Sequence, residues 1–408
     1  MAELLHRSDP THPVPPGARS VLTLNGGSSS IRFSVYALGA DAPSHEGRIE
    51  RIGLPPSRHS ARPKASPLAG GTERVTSRDR EPTAFLVRWL REQPFFGSVA
   101  AIGHRVVQGM THARPERVTG RLLRQLRQMK VYDPDHLPRE LDLIEAFRRP
   151  LPRLPQVVCF DTAFHHRMPR VATLLSLPRR FASHGMRRYG FHGLSYTFLM
   201  EELARLKERS ARRGRVVLAH LGNGASMAAV LDGVGIDTSM GFTPAAGLVM
   251  STRSGDLDPG IVAFLSRTEG MTAAQFDRMV NHQSGLLGVS GTSSDMRDLC
   301  EAQEKDPRAA EAIALFCYQA SKWIGAFAAV LGGIDLLVFA GGIGEHSPEI
   351  RARICRQLGF LGIVLDPVSN RANAPVISAA RARTRVRVIP TNEESVIVRA
   401  TAALLSLR

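Results

Sequence analysis

Cysteine, lysine, aromatic residues and long apolar runs are all scarce in this chain, and each shortage excludes something. Four cysteines in 408 residues are too few for a disulfide scaffold. Cys159, Cys300, Cys317 and Cys355 form no C-x-x-C, which points to a reduced, cytoplasmic chain. Only 6% of the residues are aromatic, which argues against a carbohydrate-stacking or single-strand-binding surface. Five lysines leave 48 of the 53 basic residues as arginine, and with 37 acidic residues the formal net charge is +16. That charge attracts polyanions at low salt. The arginines are nevertheless scattered, with no tract of Lys and Arg alone, so a specific nucleic-acid partner is not expected. Met1 to Arg19 holds four prolines and no apolar core of an export signal, and reads as a disordered leader. The most apolar stretch, Trp323 to Ile343, is broken by Gly332, Gly333 and Asp335. It reads as a helix, a turn and a buried strand rather than a membrane span.

Several phosphate and nucleophile motifs are also missing. None of the five lysines follows a glycine, so a G-x-x-x-x-G-K-[ST] loop is impossible, and no V-A-I-K strand is present. G-x-G-x-x-G, G-x-S-x-G and H-E-x-x-H do not occur either. Any phosphate chemistry must therefore rest on Gly/Ser turns without a Walker lysine.

The length has room for two substantial domains, and 43% hydrophobic residues can fill their cores. Val21–Asn25 and Ile31–Leu38 are β-rich runs joined by Gly26-Gly27-Ser28-Ser29-Ser30. Val216–Leu221 and Met227–Leu231 flank Gly222-Asn223-Gly224-Ala225-Ser226 in the same way. Two copies of one strand–turn–strand device suggest a duplicated domain. Helical spacing marks Thr83–Glu92, Gly120–Gln128, Glu140–Arg148, Ala309–Leu331 and Glu394–Ser406. Val99–His104, Gln156–Phe160, Leu336–Ala340 and Val386–Pro390 read as short strands, and Leu54–Pro82 as loop around a weak strand. Strands and helices mixed throughout predict an α/β fold.

Glycine-rich backbone beside charged side chains is what polyphosphate handling requires: turn N–H groups donate to phosphate, arginine offers a rigid fork, and a carboxylate can hold Mg²⁺. Asn25–Ser30, Gly103-His104-Arg105, Phe160–His165, Tyr189–Gly193, His220–Ser226, Thr252–Asp256, Gly341–Glu345 and Thr391–Glu394 combine these elements. Taken singly, each has an ordinary explanation. Arg105 would be a surface ion pair, His192 a turn histidine, and Asp161 a helix cap.

Their number and order carry more. The strings LNGGSSSIRFSVY, IGHRVV, FDTAFH, RRYGFHGLS, HLGNGAS, DTSMGFTP, TRSGDLDPGI, SGLLGVSGTSSDMRD, FAGGIGE and IPTNEE span Val21 to Arg399. In that order they resemble the acetate kinase family, within the superfamily that includes sugar kinases, heat-shock chaperones and actin. The resemblance implies two ribonuclease-H-like domains with mixed sheets around a central cleft: 20–161 with 393–408, and 162–392. It further implies transfer of the ATP γ-phosphoryl group to a short carboxylate, in a homodimer. By position in the strings, Asn25 and Glu393 would serve Mg²⁺ (or Mn²⁺), Arg105 would hold the carboxylate, and Asp161 would be the catalytic carboxylate. His192 and Arg253 would stabilise the transition state. Val107, Phe191, Pro244 and His136 would line the substrate site. Arg32, His220, Leu221, Gly222, Asn223, Gly224, Asp295, Met296, Arg297, Gly341, Gly342, Ile343, Gly344 and Glu345 would bind ATP.

The departures fall beside these positions. Arg32 stands where the family usually has lysine, Gln108 where it has histidine, Ala246 where it has glutamate, and His346 where it has asparagine. Leu194 and Tyr196 replace a threonine and a histidine. DPDHLP at 133–138 replaces APLHNP, which sets Asp135 at an apolar pocket position and leaves acetate, propionate and a polar short acid open. A nucleotide switch without catalysis is the rival from another class. Retention of Arg105, Asp161, His192 and Arg253 argues against it, because a switch needs no carboxylate clamp.

Overall fold

The structure, a computed structural model, describes residues 2–8, 17–26, 30–50, 72–77 and 82–407. Turn residues 27–29 and most of the proposed 54–82 loop lie outside them. The chain divides into two units, Met1–Ala163 with Asn392–Arg408, and Phe164–Thr391.

Unit 1 is built on eight strands: β1 (Ala2–Ser8), β2 (Ser20–Gly26), β3 (Ile31–Ala37), β4 (His45–Glu50), β5 (Thr72–Ser77), β6 (Val99–Val106), β7 (Glu116–Arg117) and β8 (Gln156–Phe160). Their order in the sheet is β5-β1-β4-β3-β2-β6-β8-β7. Leu22, Leu24, Phe33, Val35 and Ile102 are buried in a core with Leu86, Trp89 and Phe147 from the flanking helices. The leader expectation is corrected for Ala2–Ser8, which forms β1 between β4 and β5, antiparallel to both. Ladder hydrogen bonds to two neighbours satisfy its backbone, which composition alone does not reveal. Residues 9–16 lie outside the described residues.

Unit 2 carries five strands: β9 (Arg215–Leu221), β10 (Ala225–Leu231), β11 (Val234–Thr238), β12 (Leu336–Ala340) and β13 (Arg385–Val388), in the order β11-β10-β9-β12-β13. Within unit 1, β4-β3-β2-β6-β8 pairs antiparallel, antiparallel, parallel, parallel. The unit 2 sheet repeats that sequence of pairings. The duplication read from two Gly/Ser turns is therefore a duplication of topology.

Local chemistry sets the helix ends. Asp306 caps the helix Pro307–Leu331 by accepting from Arg308 N, and Gly332 at φ 71° ends it. Among the described residues this is the one helix apolar and long enough to cross a membrane. Its stripe of Ile313, Phe316, Ala320, Ile324, Phe327 and Leu331 is buried within unit 2. The chain's last helix, Glu393–Leu404, packs on β6 at Gly103. A Cβ there would stand 2.4 Å from Ile397 Cγ2, so only glycine allows this approach.

Beside Gly103, His104 is 1% exposed. The Gln156 amide, oriented to bond Ile144 O and Arg148 N, donates to His104 Nε2 at 2.8 Å. Nδ1 has no partner among the described residues. Burial first of all pushes the imidazole down to about 4. An unfolded histidine takes its proton near pH 6.5, so between pH 6.5 and 4 the unfolded chain binds more protons. Stability is expected to fall with pH in that window by roughly 3 kcal/mol from this residue. Denaturant titrations of wild type and His104→Gln at pH 7 and 4.5 measure it. An equal loss in both proteins would assign the acid sensitivity elsewhere.

Candidate active site

The parallel strands β2, β6 and β8 bring three of the expected residues to one sheet edge. Asn25 lies near the end of β2, Arg105 near the end of β6, and Asp161 directly follows β8. Carboxyl ends of parallel strands are where open α/β sheets hold ligands. Arg105 donates Nη2 and Nε to Asp161 Oδ2 at 2.5 and 3.1 Å, and Nη1 to Asn25 Oδ1 at 3.1 Å. Glu393 Oε2 stands 3.8 Å from Arg105 Nε. Burial opposes the charge on Arg105, but Asp161 and Glu393 hold its pKa above the ordinary value. A guanidinium has five N–H groups, so one on each Nη is left for an incoming anion. Arg32 faces Asn25 across the β2–β3 ladder, and its charge acts on Glu393.

Glu393 opens its helix behind the cap Asn392, whose Oδ1 accepts from Ser395 N and from the Tyr36 hydroxyl. Burial above all, then repulsion from Asp161 and Glu394, pushes its carboxyl up to about 7 against the pull of Arg105. Asp161 Oδ1 is buried with no hydrogen-bond partner among the described residues. An orphaned carboxylate oxygen, an amide oxygen on Asn25 and a second carboxylate on Glu393 are hard donors. They fit a cation such as Mg²⁺, which takes one or two carboxylates and completes its shell with water and phosphate. No group of three His, Cys, Asp or Glu suited to a metal occurs among the described residues, and Mg²⁺ requires none.

Val107 is buried, and its N–H donates to Glu140 Oε1 at 3.0 Å. Glu140 sits in the first turn of the helix Leu137–Arg148. Burial, then the charge of Asp133, raises its pKa well above the usual carboxylate range. Asp133 Oδ1 takes both the backbone N–H and the ring Nδ1 of His136, at 3.2 and 2.8 Å. Asp135, the departure singled out in the sequence, is half-buried, whereas Asp133 is 5% exposed. Sequence reasoning passed over Asp133 and Glu140; the string between them also holds Asp135, His136 and Arg139, so nothing in it marks these two acids as the buried ones.

In unit 2 the β9–β10 turn converges on the glycine-rich first turn of the short helix Gly341–His346, which follows β12 directly. A side chain at Gly224 would meet His192 Nε2 at 3.2 Å and Arg253 Nη1 at 3.6 Å. One at Gly222 would meet His220 Nε2 and Gly342 N, at 3.7 and 3.8 Å. His192, at φ 58°, is a non-glycine residue in the left-handed region, a strained conformation that recurs at functional sites. Its Nδ1 lies 2.8 Å from Ser226 Oγ, which lies 2.5 Å from the Tyr196 hydroxyl. The ring stacks on His220 with centroids 4.4 Å apart. His220 Nδ1 is 2.8 Å from Ser195 Oγ, itself 2.8 Å from Thr391 Oγ1. Ser195, Ser226 and Tyr196 thus orient two histidines and were not recognised from sequence.

Glu345 Oε1 accepts from Gly341 N and Thr391 N, which ties the first turn of the helix Gly341–His346 to the end of the unit. Buried Leu221 and exposed Asn223 flank Gly222, and half-buried Ile343 lies in the first turn of the helix Gly341–His346. Pro244 accepts from Arg253 Nη1 at 3.4 Å, and the carbonyl of buried Phe191 lies 3.1 Å from His165 Nε2. Asp295 instead caps the helix Met296–Ala302 and pairs with Arg297 at 2.6 Å, with Met296 buried behind them. No hydrogen bond or ion pair among the described residues joins these three to the two glycine turns.

Residues 20–399 match the Acetokinase family. An acetate kinase of Rhodopseudomonas palustris is 43% identical over 388 residues, 93% of this chain and 96% of its own. The crystal structure of Porphyromonas gingivalis acetate kinase covers 95% of this chain and all of its own, with a TM-score of 0.84 at 34% identity. A propionate kinase from Francisella tularensis gives 0.86 at 33% identity, covering 94% of this chain and 99% of its own.

Proposed function

This chain belongs to the acetokinase family, and from that footing we propose that it transfers the γ-phosphoryl group of ATP to acetate, giving acetyl phosphate and ADP reversibly. The observation that carries the reading is the Arg105 fork, held by Asp161 and Asn25 with an N–H to spare on each Nη. An acetate oxygen attacks the γ-phosphorus, the bond to the bridging oxygen of ADP breaks, and no covalent enzyme intermediate forms. Acetate is ionised at neutral pH and needs little general-base help. The protein's work is positioning and charge stabilisation. Arg105 binds the carboxylate, and Asp161 fixes the direction of that guanidinium. His192 and Arg253 donate to the phosphoryl oxygens as charge builds there. Val107, Phe191, Pro244 and His136 shape the acetate site. The two glycine turns with His220 and Glu345 would hold the nucleotide, and Arg32 and Asp295–Arg297 are assigned to it by the family strings. Asn25 and Glu393 would hold Mg²⁺, or Mn²⁺ in its place, which when bound offsets phosphate charge.

Propionate is the second reading, since the propionate kinase of Francisella tularensis resembles this chain as well as the acetate kinase structure does. One methylene discriminates by only about 1–3 kcal/mol. A homodimer is supported by the helices Gly260–Thr268 and Ala273–His282, which bury no residue and expose Val262 and Phe264. We place the enzyme in the cytoplasm.

Hydroxylamine trapping across short carboxylates tests the reaction. Acyl hydroxamate is expected with acetate or propionate, dependent on both Mg²⁺ and ATP. ADP and free phosphate alone, with every acid tried, would rule out the kinase reading.

A further inference from the structure

We propose that Asp133 is a positioning residue that fixes the ring tautomer and direction of His136. The proposal rests on the reading of His136 as a residue of the acetate site. Asp133 lies in the turn before the helix Leu137–Arg148, and a single oxygen, Oδ1, takes both the backbone N–H and the ring Nδ1 of His136. An ionised carboxylate only accepts, so the ring atom facing it carries the hydrogen. The neutral ring is then the Nδ1–H tautomer, with Nε2 left as an acceptor. Because backbone and ring hang from one oxygen, the turn and the ring direction are set together. The His136 side chain is 13% exposed, so it is not sealed from solvent.

The anchor departs from the usual family string. The string it resembles, APLHNP, has alanine where Asp133 stands, and a methyl group accepts nothing. Burying the carboxylate is costly, because Asp133 Oδ2 has no partner among the described residues. Glu140, in the first turn of the helix that follows, is the other buried acid nearby, and it serves Val107 N rather than the ring. The two acids thus divide the work, one on the strand end and one on the histidine.

The test uses the full chain and four variants: Asp133→Ala, Asp133→Asn, His136→Gln, and Asp133→Ala with His136→Gln. Long-range ¹H–¹⁵N correlation spectra of histidine-labelled protein read the tautomer directly. Wild type and Asp133→Asn, whose amide oxygen also accepts, are expected to show Nδ1–H, and Asp133→Ala a mixture. Asp133→Ala is expected to lower kcat by about 10-fold, with asparagine restoring it to within about threefold and KM for ATP moving less than about twofold. In the His136→Gln background the alanine should cost nothing further. An Nε2–H tautomer in wild type would overturn the proposal, and so would a full additional loss in that background. Should wild type make no acyl phosphate at all, the reaction reading fails, and the ring nitrogens still decide the tautomer.

Discussion

Arg105→Ala is expected to lose at least about 10²-fold in kcat/KM for the carboxylate. Two losses combine. The acid loses the planar fork that places it, and Asp161, 0% exposed, loses the cation that offsets its charge. Breaking such a pair on one side costs about 3–5 kcal/mol of stability. Arg105→Lys should rescue only part, because one ammonium cannot reach Asp161, Asn25 and an incoming carboxylate in the plane a guanidinium spans. Activity must therefore be measured where the variant remains folded, with denaturant midpoints alongside. Arg253→Ala supplies the comparison. Its Nη1 bonds the Pro244 carbonyl and the Met250 sulfur. It should lose similar activity. Near-wild-type kcat/KM in both alanine variants would place the reaction elsewhere.

The legible parts of this chain were those written in local chemistry. The Gly/Ser turns between apolar runs marked β2–β3 and β9–β10, and the glycine pair after Leu331 marked the end of the long helix. Gln156–Phe160 and Leu336–Ala340 were found to the residue, because fully buried strands read as unbroken apolar runs. Partners set by topology were not legible. Arg105 meets Asp161 and Asn25, 56 and 80 residues away, only because parallel pairing aligns the ends of three strands. Nor does spacing say which acid points inward. Asp135 drew notice by its position in the resembling string, yet the turn buries Asp133, two residues earlier. Helices Gly260–Thr268 and Ala273–His282 were passed over in the sequence, and neither buries a residue in its own unit.

Arg351 shows what that blind spot hides, and its removal carries the second large effect. It is 0% exposed, on the helix Pro348–Cys355. Nε donates to Asn370 Oδ1, Nη1 to the carbonyls of Gly344 and Glu345, and Nη2 to Asn370 O and Asn373 Oδ1, all between 2.6 and 2.9 Å. Five donors meet five acceptors, and none of the acceptors is charged. Burial pulls the guanidinium down to about 10, still charged at neutral pH. This side chain therefore props the glycine-rich turn of the helix Gly341–His346 from beneath and ties it to the segment around Asn370. Arg351→Met keeps much of the volume but strands those carbonyls without donors, at about 1–3 kcal/mol for each that water cannot reach. A total loss of about 3–5 kcal/mol is expected, since relaxation will repair some of them. If the turn holds ATP, KM for ATP should rise about 10-fold while KM for acetate stays within about twofold. Arg351→Lys has three donors for five acceptors and should fall between. Wild-type denaturation midpoints in the methionine variant would mean that the network contributes nothing net. A parallel rise in both KM values would detach the prop from the nucleotide and leave it a matter of folding alone.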